Sequence, residues 1–372
     1  LLKRTVNDTL YCKSIFKGGV ENSEKFNLDF FYTINSERKS VIGVQKSTFN
    51  YEGFDWVVNP QDNKDNKVTF NLKNSEFLFS PFSLVSNDQK INFKGGIKGD
   101  NYKDLQANFN NVKLASFLPP IDSLALRGEL NGTLDFTQKN GVYSPKGNLV
   151  INNFTINDFK QGNLALQVKG DNSYEKYDVN LSLENENAKS IAATGKIDFS
   201  TKKPELDLSV YLQEYQIAAF SPLGEDVLSK LRGNVSGDFT AKGSLKNPNF
   251  NGVLNFEDTG LMFPYLNIDF NLKGNTSVQL KDQSFILSDI LLEDTKHKTQ
   301  GTLSGSITHQ NFKQWFLNLD IDTDNLLVLD TDEEEEAQYY GTAFLDGDAK
   351  IRGLTSNLTI DVDGKTNPGT VF

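Results

Sequence analysis

Cysteine, histidine, tryptophan and methionine are nearly missing from this 372-residue chain. Its single cysteine, Cys12, excludes an intrachain disulfide framework and any cysteine metal cluster. Its two histidines, His297 and His309, have no third partner, which excludes histidine zinc sites and nucleophilic triads. His297 falls in the cationic turn Lys296-His297-Lys298 and His309 follows a strand, so both are expected to be solvated loop residues. No GxGxxG or phosphate-binding loop follows a strand. The chain is therefore expected to be no enzyme, with no catalytic residue, no metal site and no cofactor. The one methionine is Met262, so Leu1 is expected to lie inside a longer protein.

An excess of positive charge is also missing. Lysine and arginine number 38 against 49 aspartate and glutamate, giving a net charge of -11, whereas a nucleic-acid partner would ask for a basic stripe. No stretch approaches the roughly 18 consecutive apolar residues of a membrane helix. The longest apolar runs, such as Ile290 to Leu292 and Leu326 to Leu329, are strand-sized, so any membrane anchor is expected upstream of Leu1. Hydrophobic residues make up 37% of the chain and mean hydropathy is -0.45, low for one compact core. Short apolar runs recur throughout, which argues against disorder and for a thin array in which each layer buries one face.

What is present, from end to end, is alternation of apolar and polar residues. Leu126, Leu130, Leu134 and Phe136 share one face with Gly128 and Gly132, while Arg127, Glu129, Asn131, Thr133 and Asp135 take the other. The same holds for Leu164, Leu166 and Val168, for Val179, Leu181 and Leu183, and for Leu206, Leu208, Val210 and Leu212. Val235 and Phe239 belong to a strand from Leu231; Ile268, Phe270 and Leu272, then Leu317, Leu319 and Ile321, then Leu358, Ile360 and Val362 follow. Turn residues separate these runs, as in Asn140-Gly141, Asn247-Pro248-Asn249 and Asn367-Pro368-Gly369. The pattern predicts an antiparallel sheet with one wet and one dry face.

A longer period lies above the alternation. Leu126-Arg127-Gly128 is echoed by Leu231-Arg232-Gly233, and 231 minus 126 gives 105; a weaker echo begins at Tyr340-Gly341, where 341 minus 233 gives 108. A matched segment precedes each: Leu114-Ala115-Ser116-Phe117 with Pro119, Ile217-Ala218-Ala219-Phe220 with Pro222, and Leu326-Leu327-Val328-Leu329. These echoes predict β-repeat units over residues 1–125, 126–230 and 231–338 and the start of a further one over 339–372, as one continuous structure. Helix is expected at most as one or two short pieces, with Glu225 to Leu231 the candidate for a turn or two after Pro222. Gly128 with Gly132, Gly233 with Gly237, and Gly301 with Gly305 are each four apart; they mark either sharp bends toward the apolar side or ordinary bulges.

Acidic clusters carry less. Asp320, Asp322 and Asp324 alternate with apolar residues and are expected on a solvated strand face, and Asp330 to Glu336 is expected to be a loop at the sheet edge. The apolar face itself remains: it is either the sealed core of a sandwich or, in an open or U-shaped array, a continuous apolar channel. The repeat favours the channel, because a compact sandwich has no reason to keep adding similar strands. The residues expected to line it are Leu130, Leu134, Phe136, Leu164, Leu166, Val168, Leu181, Leu208, Val210, Val235, Phe239, Ile268, Phe270, Leu272, Leu317, Leu319 and Ile360. An outer-membrane β-barrel alternates in the same way, but two tryptophans and scattered tyrosines make poor aromatic girdles. An extracellular β-repeat adhesin is the other alternative.

The stretch Tyr339-Tyr340-Gly341-Thr342-Ala343, then Gly347 to Gly353, Asn357 to Val362 and Lys365-Thr366, resembles the carboxy-terminal region of the TamB family, the AsmA-like translocation and assembly module proteins. The strands Leu126 to Phe136 and Leu231 to Phe239 are similar to the family's repeats. The resemblance implies an all-β, elongated antiparallel β-taco, a sheet folded into a U-shaped groove with an apolar interior. It also implies a periplasmic protein anchored in the inner membrane and reaching an outer-membrane barrel of the BamA/TamA type. Phospholipid or unfolded outer-membrane protein would be its cargo.

About 25 strands at ~4.8 Å spacing would make a rod on the order of 120 Å long, against a radius of gyration near ~21 Å for a globule of this size. Small-angle scattering is expected to return the rod; a globular profile would reject the extended array.

Overall fold

A computed structural model describes residues 1–19, 23–118, 124–185, 188–224, 228–310, 314–332 and 340–371. It contains 26 strands joined in antiparallel ladders. Among the described residues there is no α-helix, and helical geometry is confined to four 3-10 segments: Leu72–Asn74, Leu114–Ser116, Ile217–Gly224 and Pro264–Leu266. The all-β expectation holds, with more helical pieces than the one or two expected, three of them of three residues and one of eight. The candidate over Glu225 to Leu231 is displaced: its residues 225–227 lie outside the described residues, and Ser229 already pairs with Met262 in a strand. The helical segment instead precedes it and carries Pro222 inside, because alternation extends the following strand back to Ser229.

The chain forms two compact units, one of Leu1–Ile121, Ala125–Thr155 and Lys160–Leu183, the other of Asp122–Leu124, Ile156–Phe159 and Glu184–Phe372. In the first, hairpin neighbours bring aromatic rings of one face into rows. Phe16 stacks on Phe26 at 4.7 Å and Phe26 on Phe49 at 6.0 Å, while Phe79 meets Phe93 edge-on at 5.4 Å. Such pairs add about 0.5–1.5 kcal/mol each beyond the area they bury.

In the second unit the long strand Asn247–Phe263 pairs with two successive short ones, Thr276–Asp282 along Phe250 to Phe256 and Ile268–Lys273 along Gly260 to Phe263. Arg232 ties this junction: its guanidinium lies over Gly260 and donates to Asp269 Oδ1 at 2.6 Å, Asn271 Oδ1 at 2.6 Å and the Phe270 carbonyl at 3.1 Å. A Cβ on Gly260 would come within 2.3 Å of the Arg232 Cζ, so only glycine lets the arginine cross.

The strands bend at recurring bulges. Phe109 faces Gly132 and Val112 faces Leu130, so one strand spends an extra residue. The same shift occurs between Leu212/Tyr215 and Gly237/Val235, and between Leu287/Ile290 and Gly305/Leu303. Each bulge holds a residue with φ near +50°: Asn111, Glu214 and Asp289. The peptide N–H freed there is caught by a side chain on the partner strand, donating to Asn131 Oδ1 at 2.9 Å, Ser236 Oγ at 2.8 Å and Ser304 Oγ at 3.0 Å. Ser304 returns its hydroxyl to Asp289 Oδ1 at 3.0 Å. Gly132, Gly237 and Gly305 thus sit opposite bulges instead of forming them, and their own constraint is close approach. A Cβ on Gly305 (φ 122°) would lie 2.1 Å from the Asn318 carbonyl oxygen on the next strand.

Ser304→Ala is expected to cost about 1 kcal/mol, the worth of a net hydrogen bond. Gly305→Ala is expected to cost more, since neither its φ nor its neighbour can accept a methyl group. Urea unfolding midpoints of the two variants check the order.

Candidate functional site: an apolar groove

Six strands of the first unit wall an open cavity of about 430 Å³. The strand Gln89–Lys98 brings Phe93, and Tyr102–Lys113 brings Leu105 and Ala107. Leu126–Lys139 brings Leu134 and Phe136, Lys146–Ile156 brings Gly147 and Leu149, Phe159–Gly170 brings Leu166 and Val168, and Lys176–Asn185 brings Tyr177. Register explains the assembly. Phe93 faces Ala107 and Ala107 faces Leu134, while Leu105 faces Phe136, so the apolar sides of neighbouring strands coincide row by row. Space opens where residues are small: Ala107 stands between Phe93 and Leu134, and Gly147 lies so close to Leu134 that a Cβ would meet its Cδ2 at 2.9 Å.

The walls are largely apolar; Gln106, Asp135 and Lys146 also line the cavity, and Gln106 donates to Asp135 Oδ1 at 2.7 Å. Tyr177 donates its hydroxyl to the Tyr174 carbonyl at 2.7 Å, and burial pushes its pKa above the usual phenol value. Beyond the lining, Tyr143 meets Phe136 at 5.8 Å and Tyr174 at 5.1 Å.

Of the residues expected to line a groove, Leu134, Phe136, Leu166 and Val168 meet in this cavity. Leu130, on the same strand, is buried, and Leu164 and Leu181 are half-buried in the same unit. The others fall in the second unit. Ile268, Phe270, Leu317 and Leu319 are 1–5% exposed inside a cluster with Leu292, Leu303, Leu326, Leu327 and Phe344, and Leu272 packs against it. Val235 is buried; Leu208, Val210 and Phe239 are half-buried, Val210 facing Phe239 across the ladder; Ile360 is 45% exposed. The expected set does not contain Phe93, Leu105, Ala107, Leu149 or Tyr177. Alternation in Leu105-Gln106-Ala107-Asn108-Phe109 is the signal that finds two of them.

The second unit also corrects the histidine expectation. His309 is 3% exposed, within the strand Gln300–Gln310, with ring centroids of Trp315, Phe285 and Phe250 at 5.3, 6.0 and 6.2 Å. Alternation continues past the predicted strand end, so His309 faces the aromatic side; burial lowers its pKa because the cation would lose water. His297 is exposed in its turn, its ring edge against Phe344 at 5.1 Å. That turn is organised by Asp294, fully enclosed. Burial alone would raise its pKa, but bonds from Thr299 Oγ1 and the N–H groups of His297, Thr299 and Lys296 outweigh it and hold the pKa low. Asp320 pairs with Arg352 at 2.7 Å, and Asp330 ends a strand in an ion pair with Lys296 at 2.5 Å; residues 333–336 of the acidic run lie outside the described residues.

The first unit is thus an antiparallel all-β unit with an open, largely apolar cavity. Residues 288–372 match the family model of the TamB C-terminal domain. No curated protein and no solved structure matches the chain. No helix among the described residues is long and apolar enough to cross a membrane.

The direction of the His309 shift sets a pH dependence. Its folded-state pKa lies below the unfolded value of about 6.5, so its contribution to stability is complete above that pH and is lost as pH falls through it. His309→Phe is expected to flatten the loss of stability as pH falls below about 6.5, read as thermal midpoints of both proteins at a series of pH values.

Proposed function

We propose that this chain is part of a TamB-like groove protein of the periplasm that shields hydrophobic cargo passing between the inner and outer membranes. The carrying observation is the cavity of about 430 Å³ with largely apolar walls from Phe93 to Tyr177, within the ~300–1,000 Å³ typical of small-molecule sites. The TamB C-terminal match over residues 288–372 supports the family setting. In that setting the chain works with an outer-membrane barrel of the BamA/TamA type and is tethered to the inner membrane by a segment outside it.

Of the two cargoes, phospholipid acyl chains and nascent outer-membrane strands, the cavity favours the acyl chain. The wall strands Gln89–Lys98, Tyr102–Lys113 and Leu126–Lys139 already pair on both edges, leaving no ladder for a guest strand to join. A peptide there would bury amide groups without partners, at roughly 2–7 kcal/mol per group relative to water. An acyl chain has no such groups and gains about 0.8 kcal/mol per buried methylene. Binding and sliding need no catalytic step.

A photo-crosslinking residue at Leu166 is expected to capture lipid, and one at the exposed neighbour Gln167 is expected not to. Adding Ala107→Phe, which fills the small-residue gap, is expected to abolish the Leu166 adduct. Equal adducts at both positions, or none at either, would count against a shielded groove.

A further inference from the structure

One row beyond the cavity, on the same face, the chemistry changes. Lys103 precedes Leu105 by two residues and faces Gln138, which follows Phe136 by two, so the pair continues the Leu105–Phe136 row of the wall. The half-buried Lys103 ammonium is held in place. It donates to Gln138 Oε1 at 2.5 Å and to the Asp100 carbonyl at 3.2 Å, and it lies 5.3 Å from the ring centroid of Tyr143, which itself touches Phe136 of the wall. Gln138 is only 3% exposed, so this geometry is not a loose surface arrangement.

Every partner of this ammonium is neutral. Among the described residues no carboxylate lies within ion-pair distance of Lys103, in a protein with 49 acidic side chains, and Asp104 next to it points to the opposite face of the strand. A fixed cation without a counter-charge, bordering a largely apolar cavity beside the Tyr143 ring, is complementary to an amphiphile whose apolar tail ends in an anion. Lysine engages phosphate as a point charge, and Lys146, which also lines the cavity, adds positive charge on the same site.

We propose that Lys103 is a specificity-determining residue that holds the phosphodiester of a phospholipid whose acyl chain occupies the Phe93–Tyr177 cavity, with Gln138 and Tyr143 fixing its ammonium. This rests on the groove function proposed above and adds to it an anchor point and a preference for anionic head groups. A tail in the cavity then has its head at the Lys103 end of the row, which sets the direction in which the lipid lies.

The test uses the full chain loaded with the neutral fluorophore 1-N-phenylnaphthylamine, displaced by oleoyl lysophosphatidylglycerol or by monoolein. The two share a chain and differ in the phosphodiester. Wild type is expected to bind the anionic lipid about tenfold more tightly, as a charge-assisted bond implies. Lys103→Met, which keeps the apolar stem, is expected to lose that preference while its monoolein affinity stays unchanged, and Lys103→Arg is expected to keep it. Inorganic phosphate alone is expected to displace nothing. Equal affinities for the two lipids in wild type, or an undiminished preference in Lys103→Met, would overturn the Lys103 assignment and leave the groove standing. Failure of both lipids to displace the probe from wild type would overturn the groove and the assignment together.

Discussion

A sheet that alternates apolar and polar residues acquires a dry face that must be covered, and the two units cover it differently. In the second unit the cover is aliphatic and internal. Leu326 and Leu327, on the outer half of the strand Gln314–Thr331, are 2% exposed and join Leu303, Leu319 and Ile268 in one cluster. Burial of each such side chain is worth about 1.5–3 kcal/mol, and Gly301 helps by leaving room for the Leu326 side chain, which would come within 2.8 Å of a Cβ there. In the first unit the face carries stacked phenylalanines and, between Phe93 and Leu149, the small residues Ala107 and Gly147. Rings with two stiff torsions do not collapse into the space those residues leave. The cavity is therefore a consequence of residue size in register.

Strand positions and the sidedness of each strand were legible in the sequence, because a period of two needs only near neighbours to be seen. Coverage was not. Leu166 and Leu319 sit in equally regular alternations, yet one borders an open cavity and the other is 3% exposed, and the difference comes from partners far away in sequence. His309 shows the same limit: its aromatic surroundings, Phe250, Phe285 and Trp315, come from three other strands or strand ends. Lys103 carries no local mark at all. Only the cross-strand row with Gln138 and the ring of Tyr143 sets it apart from the many other lysines.

The bulges show where local sequence does record tertiary geometry. Four of them face a shared triplet on the partner strand: an apolar residue, a short polar one, then glycine. Leu130-Asn131-Gly132, Val235-Ser236-Gly237 and Leu303-Ser304-Gly305 all read this way, and Leu345-Asp346-Gly347 repeats the order opposite the shift between Thr323 and Leu326. Each member has a separate physical task. The apolar residue re-enters the dry face beyond the bulge, the polar one accepts the freed N–H in the first three cases, and glycine admits the next strand's carbonyl.

The triplet spacing says what the bulges are for. From Gly132 to Gly237 is 105 residues, but 305 minus 237 gives 68 and 347 minus 305 gives 42. The triplets therefore do not keep to a single sequence period. They mark register shifts between paired strands, and a bulged strand bends and twists more strongly at such a shift. A bulge left with an open N–H would be a point where water enters and the ladder slips. Pinning it with one short side chain fixes curvature at a cost of one residue, and fixed curvature is what allows small residues such as Ala107 and Gly147 to remain a gap instead of being closed by relaxation of the sheet.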